Sequence, residues 1–376
     1  MSEERRHEKQ KDSYGLRDEM RGSLEGMRVY YEETCGLRDE MCGSQEGMRV
    51  FLEEICGLSG KALEGEEKPC GLPDKLLLER AALGEVEALL QLDSMGFIMG
   101  PAEGPREYVE RIRLLIANVG KMEKSLVETG TFEIEGVTVL SKERISRELF
   151  AEATTVNQRL YGFSIDWVPG FFIDPFFLFG GCAFAFFPEF FAMFIIRKSF
   201  RKSKKWFIYN RQELLAHELC HIARIALDST LYEETFAYQV SPSRVRRVLG
   251  GLFLRPMDSY LFLGVTFLLL VAQMIRLYWL PGLSIVPFWG VILITFSWLS
   301  LRYVWLMQTL KKAYRNAFRL FGKRTAKVLF RCTDAEVKLW AGLDTKAQAE
   351  KWLESQEGLR WKVIAGGDFF FGSQGA

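Results

Sequence analysis

Histidine is scarce in this chain: three residues in 376, at positions 7, 217 and 221. A site that needs imidazole can therefore be built in few ways. Charge of one sign is missing as well, since 49 Lys and Arg face 48 Asp and Glu for a net charge of +1. That balance lacks the electrostatic footprint of a nucleic-acid binder, and no nucleic-acid partner is expected. The seven cysteines are odd in number and contain no C-x-x-C pair, which argues against a disulfide framework and a cysteine zinc knuckle and favours a reducing compartment. Met1 to Asp12 is densely charged with no apolar run, so no cleavable signal peptide is expected and membrane attachment has to come from inside the chain.

What is present begins with a repeat. Residues 14–34 recur almost unchanged as 35–55, a period of 21 or three heptads. Leu16, Met20, Met27, Tyr30, Leu37 and Met41, with Ser23 and Thr34 at the weak steps, follow it on alternating steps of four and three, a coiled-coil seam. The glycines at 15, 22, 26, 36, 43, 47 and 57 oppose it, each costing roughly 1 kcal/mol in a helix interior. Region 1–69 thus reads either as a marginal helix that self-associates or as a duplication in a disordered tail. Residues 70–160 read as a helical region, with apolar spacing of helical period through Leu76–Leu92 and Tyr108–Val127, an alternating strand over 131–140 and a helix from Ser141 toward Leu160.

Twelve phenylalanines fall between 171 and 200, but Pro175, Gly180, Gly181 and Pro188 break the run, and Asp174 and Glu189 charge it. These interruptions argue against one straight transmembrane helix; residues 190–198 read as a strand, and the WFIY at 206–209 as a returning strand. Two apolar runs of another kind follow. Tyr260–Leu280 carries one charge, Arg276, and Leu283–Leu301 carries none, each about the ~20 residues needed to cross a bilayer. Pro281-Gly282 leaves room only for a tight turn, so 258–307 reads as a transmembrane helical hairpin with a lipid bilayer as partner. Arg244, Arg246, Arg247 and Arg255 precede it and Lys311, Lys312, Arg315 and Arg319 follow it, so the positive-inside rule puts both flanks in the cytoplasm. Residues 308–376 read as a basic juxtamembrane helix and a small α+β tail.

The chemistry is concentrated in RQELLAHELCHIARIAL. His217-Glu218-Leu219-Cys220-His221 is an H-E-x-x-H pattern, and Asn210 with Glu213 resembles a capping box that would start its helix. On a helix, positions 217 and 221 share a face, two imidazoles can meet one tetrahedral Zn2+, and Glu218 can reach a water beside it. Glu234 and Glu233, in the next segment, are the candidates for a third ligand. Cys220, inside the motif, reads as a packing residue.

The segment 190–240 resembles the gluzincin zinc metallopeptidases, the thermolysin-like clan. Glu234-Thr235-Phe236-Ala237-Tyr238 matches that clan's Glu-x-x-small-Asp except at the last position, where Tyr238 replaces the residue expected to orient a ligand histidine. Against the membrane-bound HtpX type of that clan, whose hydrophobic hairpin falls between the histidine helix and the glutamate, the hairpin here comes after Glu234. The resemblance implies an α+β zincin-like (gluzincin) catalytic domain at 161–250, a mostly helical N-terminal region, a peptide or protein substrate, Glu218 as general base and acid, and His217, His221 and Glu234 as metal ligands. It implies an oxyanion stabiliser too, for which Tyr238, Tyr232 and Arg244 are nearest in sequence, and a substrate-pairing strand at 190–198. The competing reading is a membrane-anchored interaction or scaffold protein with a degenerate or purely structural zinc site, favoured by Tyr238.

Overall fold

Helix-forming periodicity dominates the chain, and the computed structural model is correspondingly helical with few strands. It describes residues 71–134, 136–174, 180–186 and 191–366. The 21-residue repeats and their expected self-association lie outside the described residues.

The described part forms two compact units. The smaller, within Gly120–Glu143, contains the end of helix α3 (Pro105–Glu128, numbered after α1 and α2 below) and the antiparallel strands β1 (Thr131–Ile134) and β2 (Val137–Leu140). The single strand expected over 131–140 is therefore a hairpin, because Gly136 at φ +76 supplies the turn that a β-branched residue would resist.

The larger unit takes the described residues of Cys70–Val119 and Arg144–Ala376. Its first apolar run is split into α1 (Lys75–Ala82) and α2 (Val86–Ser94) at Gly84, whose φ is +82. Ser141–Glu143, which still belongs to the smaller unit, makes only a 3-10 turn, and α4 (Arg147–Tyr161) starts after Ser146. Next come β3 (Gly170–Phe172), β4 (Gly181–Phe186) and β5 (Phe191–Ile196), which form one sheet in the order β3-β5-β4. Strand β5 pairs parallel with β3 and antiparallel with β4, so both of its edges are occupied. This corrects the expectation of a substrate-pairing strand at 190–198. The returning strand is corrected as well: β6 (Lys205–Trp206) pairs with β7 (Tyr209–Asn210) in a separate tight hairpin.

The motif helix α5 (Arg211–Arg224) follows β7 directly, and then α6 (Glu233–Tyr238) and α7 (Arg244–Leu249). Two long helices come next: α8 (Pro256–Tyr278, 23 residues) and α9 (Val286–Phe321, 36 residues). Both are long and apolar enough to cross a membrane, and α8 alone spans about 34 Å at 1.5 Å per residue. Their apolar side chains point outward, with Leu263, Phe267, Leu293 and Ile294 all exposed. Arg302 of α9 pairs with Asp258 of α8 at 2.5 Å, joining the open ends of the pair.

Beyond α9 the chain is helical: α10 (Thr325–Phe330), α11 (Asp334–Gly342), α12 (Lys346–Glu354) and α13 (Leu359–Ala365). No strand occurs there among the described residues, which corrects the α+β tail. These helices fold into the core of the motif unit. Phe330 is fully buried and stacks on Tyr161 at 4.0 Å and on Phe163 at 5.2 Å. A side chain of this size buried completely contributes roughly 2–3 kcal/mol. Buried arginines satisfy the carbonyls left at the junctions: Arg331 holds Asp93 and the Tyr161 carbonyl, and Arg360 holds the Met99 carbonyl and Glu336.

Candidate metal centre

Helix α5 starts where the sequence indicates, though not by the full expected device. The Asn210 side chain accepts from the Gln212 N–H at 3.0 Å, while Glu213 leaves the cap to accept from Arg246 at 2.8 Å. The apolar face of α5 (Leu215, Leu219, Ile222, Ala223) is buried, and Asn157 of α4 donates to the Ala216 carbonyl at 3.1 Å. So packed, α5 turns residues 217 and 221 toward α6.

The two Nε2 atoms lie 3.1 Å apart. Glu234, on the first turn of α6, faces both, with Oε2 at 3.5 Å from His217 Nε2 and Oε1 at 3.6 Å from His221 Nε2. His217, His221 and Glu234 form a group that could hold a metal ion, each offering an atom within 4.8 Å of the others. Glu233, the alternative, sits on the other side: its Oε1 is 2.9 Å from His221 Nδ1. Accepting there holds a proton on Nδ1, so that a cation displacing the other proton would meet the Nε2 lone pair. The Ala237 backbone makes a hydrogen bond to the His217 ring that favours its protonated form, so it accepts and orients the second imidazole. The orienting contact expected of an aspartate at 238 is thus replaced by Glu233 on His221 and the Ala237 carbonyl on His217, neither of which the sequence pattern signals.

Glu218 turns away from the pair toward β4, where the Ala183 N–H donates to its Oε2 at 2.8 Å. Burial, opposed by His221 and reinforced by Glu234, pushes its carboxyl up to about 7. Burial raises Glu234 too. The imidazoles diverge. Burial and the neighbouring His221 hold His217 well below the usual range; burial also opposes charge on His221, but Glu234 and Glu233 outweigh it and lift His221 to about 10. The cluster thus concentrates negative charge around one proton, the electrostatic condition that a bound cation would satisfy.

Tyr238 lies at the end of α6 with its ring 4.6 Å from that of His217 in an edge-on arrangement. Gly250 makes room for it, since a Cβ there would meet the Tyr238 ring at 2.2 Å. Tyr232 is fully buried at the N-terminus of α6 and Arg244 is exposed on α7. The arginine whose charge acts on His217 and Tyr238 is Arg246, already engaged with Glu213 and the Ile208 carbonyl. Burial pushes the Cys220 and Cys182 thiols up, so neither is a ready thiolate, and Cys220 packs as expected.

The loop carrying Glu233 and Glu234 into place is held from far along the chain. Asp334, at the start of α11, accepts from Ser229 Oγ at 2.6 Å, from the N–H groups of Thr230 and Leu231 at 2.9 Å each, and from that of Tyr232 at 3.4 Å. Nothing in the local sequence around 334 signals this. No family model, curated protein or solved structure matches the chain. The functional reading therefore rests on the site itself.

Proposed function

We propose that this chain is a membrane-anchored zinc metallopeptidase acting on peptide or protein substrates. The observation that carries the reading is that ligand atoms of His217, His221 and Glu234 lie within 4.8 Å of one another, with Glu218 next to His217 on the same helix and its carboxyl close enough to act on the charge of His221. The donor set suits zinc. Two nitrogens at the usual zinc distance in a tetrahedral arrangement are about 3.3 Å apart, close to the 3.1 Å between these two. Two neutral imidazoles and one carboxylate leave a tetrahedral ion one position short, as a catalytic site requires.

Zinc bound there would polarise a substrate carbonyl and acidify a water. Glu218 supplies the proton traffic: its buried carboxyl, raised by desolvation before any cation binds, is suited to accept a proton and return it. Its Oε2 is committed to Ala183, which leaves Oε1 to take the proton and pass it to the departing amine. Among the described residues β4 is the outer strand of its sheet, and its edge, part of which the Ala183 N–H uses to hold Glu218, is the one we assign to an extended substrate backbone. Tyr238, packed on His217, is the candidate to stabilise the oxyanion. Helices α8 and α9 supply the anchor, and the arginines and lysines on both flanks favour a cytoplasmic site.

The test is metal content with activity. Detergent-solubilised protein should carry about one zinc per chain, and Glu218→Gln should keep the metal while abolishing cleavage of a casein-type or membrane-peptide panel. A zinc-free wild type, or His217→Ala with unchanged zinc content, would sink the assignment.

A further inference from the structure

The surface beside the cluster is apolar where a water-exposed surface is ordinarily polar. At the β6–β7 tip, Phe207 and Ile208 are 80% and 61% exposed. Phe207 holds φ +50, a left-handed conformation uncommon for a bulky residue and a sign that the outward aim of this tip is maintained by its surroundings. Helix α7 buries none of its residues and exposes Val245, Val248 and Leu249. Lys202, Lys204, Lys205 and Arg244, flanking these two elements in sequence, are exposed as well.

Three contacts tie both elements to one level of the long-helix pair. The Arg246 guanidinium donates to the Ile208 carbonyl, linking tip to α7. The Tyr303 hydroxyl donates to the Val248 carbonyl, linking α7 to α9. Tyr303 follows Arg302, which pairs with Asp258 and is the first charge after the apolar run from Leu283. On the reading of α8 and α9 as membrane-spanning, that level is where the helices leave the hydrocarbon for the headgroups.

We infer that the β6–β7 tip and α7 form an interfacial anchor seated on an anionic lipid surface, with Phe207, Ile208, Val248 and Leu249 at the acyl boundary and the flanking lysines on headgroup phosphates. The inference rests on the membrane reading of α8 and α9. The bilayer is the occupant because the patch continues into α8 and its rim is basic, the two terms that drive interfacial binding. The metal cluster adjoins this surface: Tyr238 of α6 covers Gly250, and Thr235 lies against Gly251, both in the turn after α7. Such seating directs the site to polypeptide segments at or just outside the membrane rather than to freely diffusing peptides.

Photo-crosslinking tests it in the full chain, reconstituted in phosphatidylcholine–phosphatidylglycerol nanodiscs. Benzoylphenylalanine replaces, one at a time, Phe207, Val248, Leu268 within α8, and Leu83, an 81%-exposed leucine at the end of α1. Lipid adducts at 207 and 248 should lie within about threefold of those at 268 and about tenfold or more above those at 83. Adducts at 268 with none above the Leu83 background at 207 and 248 would overturn the anchor while keeping the hairpin. No adduct at 268 would overturn the membrane reading and the anchor with it, and equal yields at all four positions would also refute the seating. A dependence on phosphatidylglycerol at 207 but not at 268 supports the headgroup contacts.

Discussion

Asp334→Ala should impair zinc binding although residue 334 touches no ligand. The carboxylate accepts four hydrogen bonds from residues 229–232, the segment that leads into Glu233 and Glu234. A hydrogen bond to a charged group contributes roughly 1.5–3 kcal/mol, but four on one half-exposed carboxylate do not add, so about 3 kcal/mol is a fair total for ordering the loop. Zinc binding then has to reorder the segment, and the apparent affinity falls with the fraction of chains already in the competent arrangement. At about 1.4 kcal/mol per tenfold, the expected loss is about 100-fold. Asp334→Asn keeps one carbonyl acceptor and should fall about 10-fold, because it retains some of the bonds. The assay is competition for zinc between metal-stripped, detergent-solubilised protein and a chromophoric chelator, with thermal unfolding of the zinc-free form run alongside. Zinc affinities of both variants within about threefold of wild type would refute the argument, since the loop would then be held without Asp334.

The two glutamates of α6 should separate. Glu234→Ala removes a donor and should abolish stoichiometric zinc, whereas Glu233→Ala frees the His221 tautomer and should weaken zinc about 10-fold, in the range for groups that orient ligands; the reverse order in the same competition assay would exchange their roles. Tyr238→Phe should keep zinc and lower kcat about 100-fold, the usual worth of one oxyanion donor; an unchanged kcat removes Tyr238 from the chemistry. Glu218→Gln should stabilise the zinc-free protein in alkaline conditions. A carboxyl raised from 4.5 to about 7 by burial opposes folding increasingly as pH rises from the unfolded value, and fully once pH passes about 7. The gain should be at most about 3 kcal/mol at pH 8 and absent near pH 4, read from unfolding midpoints in chelator; a pH-independent difference would deny the raised carboxyl.

Local spacing carried the part of the site that one helix can encode. The i, i+4 histidines face each other because 3.6 residues per turn oblige them to, and Glu234 follows within one loop. What stayed hidden depends on pairing between distant segments. Strand β5 looked like a free edge because its parallel neighbour β3 is three residues long and shows no alternation. Strand β4 lies in a phenylalanine-rich stretch whose turn residues masked its period. Glu233 was a recognised candidate, yet only the geometry separated a nitrogen at the cluster from the nitrogen behind it. The helical C-terminal segment was unreadable as part of the site unit, since Arg331 meets Asp93 across 238 positions and no local pattern encodes that. The two apolar helices were legible because their composition alone sets them apart.

Arg224 is 1% exposed at the end of the motif helix, its guanidinium stacked 4.7 Å from Phe236 and 5.3 Å from Phe330 and donating to the Phe330 and Cys332 carbonyls. Together with Asp334, this places the braces of the histidine helix on the far side of the apolar hairpin in the order of synthesis. While a ribosome is still making α9, the residues of the motif helix have been synthesised, but the acceptors for its buried cation and the clasp of the loop to Glu234 have not. The full bracing of the cluster therefore waits until the long helices are made and residues 330–334 have been added. Any product ending before residue 330 has the H-E-x-x-H sequence without the scaffold that shapes it.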